Sequence, residues 1–156
     1  MKNKYISFAK NMGIAAITGL VAGAGTAELF NLITDDKTMT AIASTISEYT
    51  AAYSVFLPLH ARDNMDIYRT EEGKFRWGEF IKDQIKLAGG FVLLDIAYLT
   101  GRPLLAKEFL DSGVGSSQAS LYADAIFYPV LIAAVFPIAK ITGNIRSKEK
   151  NLEDKV

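Results

Sequence analysis

Four carboxylates stand in stretches of this chain that are otherwise apolar: Glu28, Glu48, Asp95 and Asp124. Arg102 is the single base that falls well inside those stretches rather than at an end. Hydroxyls recur beside them at helical spacing, so that they share a face with the charge. Ser44 and Thr45 precede Glu48; Asp95, Tyr98 and Arg102 fall at i, i+3 and i+7; Ser117, Ser120, Asp124 and Tyr128 repeat the pattern further on. Carboxylate and hydroxyl oxygens are hard ligands, suited to a proton or to Mg²⁺, Ca²⁺ or Mn²⁺. Zinc and di-iron chemistry are disfavoured, because the chain has no cysteine and one histidine, His60.

The elements that must position these groups are hydrophobic helices. Half the residues are hydrophobic and 22% are charged, a balance that decides nothing until the charges are located. They are segregated. Segments 12–33, 39–59, 85–105 and 119–141 are almost free of charge apart from the acids and Arg102. About 20 apolar residues at 1.5 Å each cross the ~30 Å hydrocarbon core of a bilayer. Each segment meets that length, which predicts an all-α polytopic membrane protein, a four-transmembrane-helix bundle forming one domain over 1–156. A cleaved signal peptide is the rival reading of the first segment. Three comparable segments follow it, and Gly19 and Gly23 form a small-xxx-small pair suited to close helix contact with a second copy or a membrane partner. A water-soluble four-helix bundle would carry polar stripes every three to four residues, which these segments lack.

Lys and Arg gather before the first segment, between the second and third, and after the fourth, while the opposite loops hold only Lys37 and Lys107. That asymmetry predicts an integral membrane protein with both termini cytoplasmic. The cytoplasmic loop 60–84 is expected to begin as a polar turn and to continue as an amphipathic segment lying at the surface before the third helix, with Trp77 at headgroup depth. His60 reads as an interfacial residue. A polar cytoplasmic tail occupies 144–156. The stretch TDDKT predicts a tight hairpin between the first two helices, and Ser116 and Ser117 are candidates to cap the fourth. Pro103 predicts a kink or break in the third helix around 101–103, whereas Pro58, Pro129 and Pro137 read as ordinary packing bends. No basic groove with interleaved aromatics suggests nucleic acid.

Counted from the outer end of each helix at 1.5 Å per residue, Glu28 and Asp124 lie about 8 Å deep, Glu48 about 14 Å, Asp95 about 15 Å and Arg102 about 5 Å. The acids therefore form a layer in the outer half of the bilayer, facing a bundle interior where charge is tolerated. Arg102 leans toward Asp95, leaving three acids for an added positive charge. The expected function is binding or transport of a cation: a proton, a divalent metal held by Glu28, Glu48, Asp95 and Asp124, or an organic cation. Arg102, Tyr98 and Ser44 are the candidate substrate contacts, and Tyr49 and Tyr53 are candidate lining residues. Two alternatives stand beside it: an outer-leaflet enzyme in which Arg102 grips a phosphate or carboxylate of a lipid-linked substrate, and a membrane scaffold or assembly subunit. A homo-oligomer or a membrane partner is expected alongside the lipid bilayer.

Overall fold

The structure is a computed structural model and describes residues 4–70 and 72–141. The predicted tail at 144–156 lies outside the described residues. The fold is all-α. Its elements are α1 (Lys4–Ile33), α2 (Lys37–Asp63), the single turn α3 (Met65–Tyr68), α4 (Trp77–Asp111) and α5 (Ser116–Ile141). The four long helices form a ring in which α1 packs on α2, α2 on α4, α4 on α5 and α5 back on α1.

Two short turns close one end of the bundle. Asp36 caps α2 with Oδ1, which accepts from the backbone N–H groups of Thr38 and Met39 at 2.9 and 3.0 Å. This satisfies two of the orphan donors of the first turn and sets the tight α1–α2 hairpin. The α4–α5 turn needs a left-handed residue, supplied by Gly113 at φ +83°. Ser116 and Ser117 are the first residues of α5 itself; the expected cap begins the helix rather than preceding it. An exposed ion pair of 3.3 Å between Lys37 and Asp111 ties the two turns together, and Lys107 also pairs with Asp111.

At the other end the connection from α2 to α4 is folded rather than merely polar. Arg69 and Phe75 pair as an isolated bridge around the positive-φ Gly73. Tyr68 is buried and donates to Asp83 Oδ2 at 3.2 Å, with Phe75 and Phe80 against its ring. The amphipathic segment expected before the third helix is not a separate element: it is the first part of α4, which runs unbroken for 35 residues, about 52 Å at 1.5 Å per residue. Nor does Pro103 break α4. Proline removes one main-chain bond, and packing on both sides holds the rest of the turn in place.

Several polar side chains are buried while many large apolar ones lie on the outside of the bundle. Arg102, Glu48, Asp124, Asn11, Ser44, Thr45 and Ser120 are buried, whereas Leu32 and Leu93 are 75% and 77% exposed and Val21, Ile96, Leu104 and Val130 also point outward. Residues 5–33 and 116–140 are each long and apolar enough to cross a membrane. Helix α2, diluted by Ser and Thr, and α4, diluted by the charges of its first turns, are less apolar.

Inside, two apolar clusters flank the polar groups. One, near the turns, contains Ala41, Ala106, Leu110, Ala119 and Ala123. The other, near the termini, contains Phe8, Ala15, Phe56, Phe91, Val135 and Ala139. Gly19 and Gly23 serve this interior instead of an outer docking face. A Cβ at Gly23 would lie 2.9 Å from Glu48 Oε2 and 3.0 Å from Glu48 Cβ, and one at Gly19 would lie 3.1 Å from the Glu48 carbonyl oxygen. The small pair is thus used within the chain, to let α1 close over Glu48.

Candidate functional site

The polar layer is built around Arg102 on α4. Its Nε donates to Asp124 Oδ1 at 2.7 Å and its Nη2 to Asp124 Oδ2 at 3.0 Å. Nη1 donates to Ser44 Oγ and Thr45 Oγ1, both at 2.8 Å, and Nη2 reaches Ser120 Oγ and Glu48 Oε2, both at 2.6 Å. A guanidinium carries five N–H donors, and protein oxygens take all of them. The α2 hydroxyls are arranged for this purpose: Ser44 and Thr45 give their own hydrogens to the Ala41 carbonyl at 3.1 and 2.8 Å, which turns their lone pairs toward Arg102. Tyr128 completes the network by donating to Glu48 Oε1 at 2.6 Å. Arg102 is 0% exposed, and Glu48 and Asp124 are 1% exposed each.

The four acids expected to share one layer are therefore divided. Glu48 and Asp124 flank Arg102. Asp95 does not pair with it, because seven residues of helix separate them by about 10 Å along the axis, beyond the reach of one side chain; Arg102 extends sideways to α2 and α5 instead. Glu28 is exposed near the turns, beside Asn31, Lys37 and the loop from Gly113 to Gln118. Among the described residues no group of three or more acids or histidines converges as metal ligands would. Of the proposed substrate contacts, Arg102 and Ser44 are enclosed within the network and have no donor left for a ligand, while Tyr98 lines a cavity.

That cavity, about 370 Å³, lies between the polar layer and the end carrying the termini, and all four long helices contribute to it. Ala9, Met12, Gly13 and Ala16 come from α1; Phe56, Phe91 and Val135 continue an apolar wall. On the side toward the polar layer the lining changes to Tyr49, Tyr53, Asp95, Tyr98 and Tyr128. Tyr53 donates to both Asp95 oxygens at 3.2 and 3.3 Å, and the Tyr49 and Tyr53 rings lie 4.5 Å apart. Asp95 is half-buried and has no cation paired with it among the described residues. Tyr98 is buried, and its hydroxyl has no hydrogen-bond partner among them. Its ring is held edge-on by Phe127, centroids 6.0 Å apart, which in turn fits against Gly101. His60, at the terminal end, stacks on Phe56 and meets Phe8 edge-on.

Sequence spacing located Tyr49, Tyr53, Tyr98 and Tyr128 beside the acids. It missed the apolar wall, since Ala9, Phe56 and Phe91 look like any other membrane or core residue until the ring of helices closes around an unfilled space.

No family model and no solved structure matches this chain. One curated protein, the RhoGEF domain-containing protein gxcJ of Dictyostelium discoideum, is 28% identical over 129 residues, which cover 79% of this chain. The chain spans only 10% of that protein's length.

Proposed function

We propose that the chain is an integral membrane protein of four spanning helices, with both termini cytoplasmic, whose interior cavity binds a lipophilic organic cation against Asp95. The observation that carries this reading is the half-buried Asp95 carboxylate, held by Tyr53 in the wall of a cavity that is otherwise aromatic and aliphatic. A carboxylate in such surroundings is costly unless a positive charge or a proton joins it. An inorganic divalent ion demands six or more oxygens, and Asp95 with its phenols offers too few. An ammonium or phosphonium with apolar substituents matches both halves of the lining, because the tyrosine rings add cation–π attraction and the aliphatic wall takes the substituents. Outward-facing Leu, Ile and Val along the helices support a lipid environment. Transport would follow if the cavity opened alternately to the two faces. The enzyme reading loses its anion grip, since every Arg102 donor is already used.

The test is calorimetric titration of tetraphenylphosphonium into the purified protein in lipid nanodiscs. Saturable binding that weakens about tenfold or more in Asp95→Asn, as loss of a desolvated charge partner predicts, and persists in Glu28→Gln supports the reading. Equal affinity in parent and Asp95→Asn overturns it.

A further inference from the structure

The Arg102 network does not balance its own charge. One guanidinium faces two carboxylates, Glu48 and Asp124, leaving one negative charge in excess with all three side chains essentially inaccessible. Helix α1 presents Gly19 and Gly23 to the pair, with no titratable group. Helix α2 brings Ser44 and Thr45 with Glu48, α4 brings Arg102 and Tyr98, and α5 brings Ser120 and Tyr128 with Asp124. Among the described residues no second cation pairs with Glu48 or Asp124. An isolated buried charge is expensive enough that the group binds a proton instead.

The pair also touches the cavity. Tyr128 has its hydroxyl 2.6 Å from Glu48 Oε1 while its side chain lines the cavity wall, and the unpartnered Tyr98 hydroxyl lines the same wall. A hydrogen bond that short works in either direction, since a protonated pair can donate to the Tyr128 oxygen and an ionised pair accepts from it. We propose that Glu48 and Asp124 together hold one exchangeable proton, and that a cation entering the Asp95 cavity expels it by way of Tyr128. The step balances: the pair gives its proton to the Tyr128 oxygen as Tyr128 gives its own hydrogen to water in the cavity. The tyrosine ends neutral, the pair ends ionised, and one proton leaves for bulk water as one cation arrives. The incoming charge and the freed carboxylate attract across a medium of low dielectric. By linkage, raising the pH must then strengthen cation binding as much as the cation favours proton loss.

The coupling rests on the Asp95 reading, whereas the proton itself does not, and two measurements keep them apart. Infrared spectra of the ligand-free protein should show the C=O stretch of a protonated carboxylic acid. Charge counting requires that Glu48→Gln and Asp124→Asn each remove the same carboxylic-acid component from it, because either leaves one acid for one base, while Asp95→Asn retains that component. A parent spectrum without such a component, or one left unchanged by both single variants, overturns the proton site whether or not any cation binds. Calorimetry of tetraphenylphosphonium in buffers of different ionisation enthalpy then counts protons. About one should leave per cation in the parent and none in Glu48→Gln, while Tyr128→Phe, which removes the relay, should slow the release seen by a pH dye on rapid mixing. Binding without proton release in the parent overturns the coupling and leaves the Asp95 reading intact. Release that persists in Glu48→Gln assigns the proton to Asp95 and also overturns the coupling.

Discussion

Arg102 meets Asp124 through two parallel donors, Nε to Oδ1 at 2.7 Å and Nη2 to Oδ2 at 3.0 Å, and so clamps α4 to α5 while Nη1 holds α2 through Ser44 and Thr45. Removing one member of a buried charged set strands the others. Arg102→Ala should therefore cost about 3–5 kcal/mol, read as a loss of melting temperature in detergent. Arg102→Lys should recover little, because an ammonium lacks the planar fork. The combination of Arg102→Met with Glu48→Gln and Asp124→Asn should be more stable than Arg102→Ala alone. A triple variant as unstable as the single one would show that shape rather than stranded charge matters here.

Gly23 and Gly25 lie two residues apart on α1 in opposite surroundings. Gly23→Ala pushes a methyl group to 2.9 Å from Glu48 Oε2, whereas nothing lies within 4 Å of a Cβ at Gly25. Overpacking of this kind costs about 1–3 kcal/mol. Gly25→Ala should be neutral or stabilising by up to about 1 kcal/mol, the difference in helix propensity. Comparing the two melting temperatures checks the prediction, which fails if both variants shift alike.

Much of this arrangement can be read from the residues alone. Apolar length predicted the four long helices, and spacing put Ser44 and Thr45 on the Glu48 face and Ser120 and Tyr128 on the Asp124 face. The partition of the acids was not legible, because it depends on which helices are neighbours across the ring. Depth along each helix placed Glu48 and Asp95 at one level and Glu28 and Asp124 nearer the outer surface, but only packing shows that Arg102 points to α2 and α5 rather than along α4 to Asp95. Depth alone also cannot give rotation about a helix axis, so it could not show that Glu28 faces out. For the same reason Gly19 and Gly23 could be recognised as a contact pair without revealing that their partner is α2 of the same chain.

Asp111 provides a test of the surface between the two turns. The Lys107 ammonium that pairs with it, and then Lys37, hold its carboxyl below the usual carboxylate range. A carboxyl whose folded value is depressed stabilises the fold above its unfolded value of about 3.9 and loses that contribution as the pH falls through the folded value. The melting temperature of the parent should exceed that of Asp111→Asn near neutral pH, and the gap should close on acidification below about pH 4. Both groups are exposed, so the gap should be small and should shrink with added salt. A gap that widens in acid would contradict the assignment.

Trp77, the single tryptophan, is exposed at the first residue of α4. If the bundle spans a bilayer, this ring lies at headgroup depth. Its fluorescence in vesicles should be quenched most by lipids brominated near the headgroup and less by lipids brominated toward the chain end. Efficient quenching by aqueous iodide, with no effect of either brominated lipid, would contradict the membrane arrangement.

Asp95 as the seat of a lipophilic cation is tested most directly by the position of a heavy-atom probe, tetraphenylarsonium, located by anomalous scattering in crystals of the protein. An arsenic peak should appear inside the cavity, within about 6 Å of the Tyr49 or Tyr53 ring and beside the Asp95 carboxylate, and should disappear in Asp95→Asn crystals. Arsenic found only on the outer apolar faces, or at full occupancy in the Asp95→Asn cavity, would contradict that assignment.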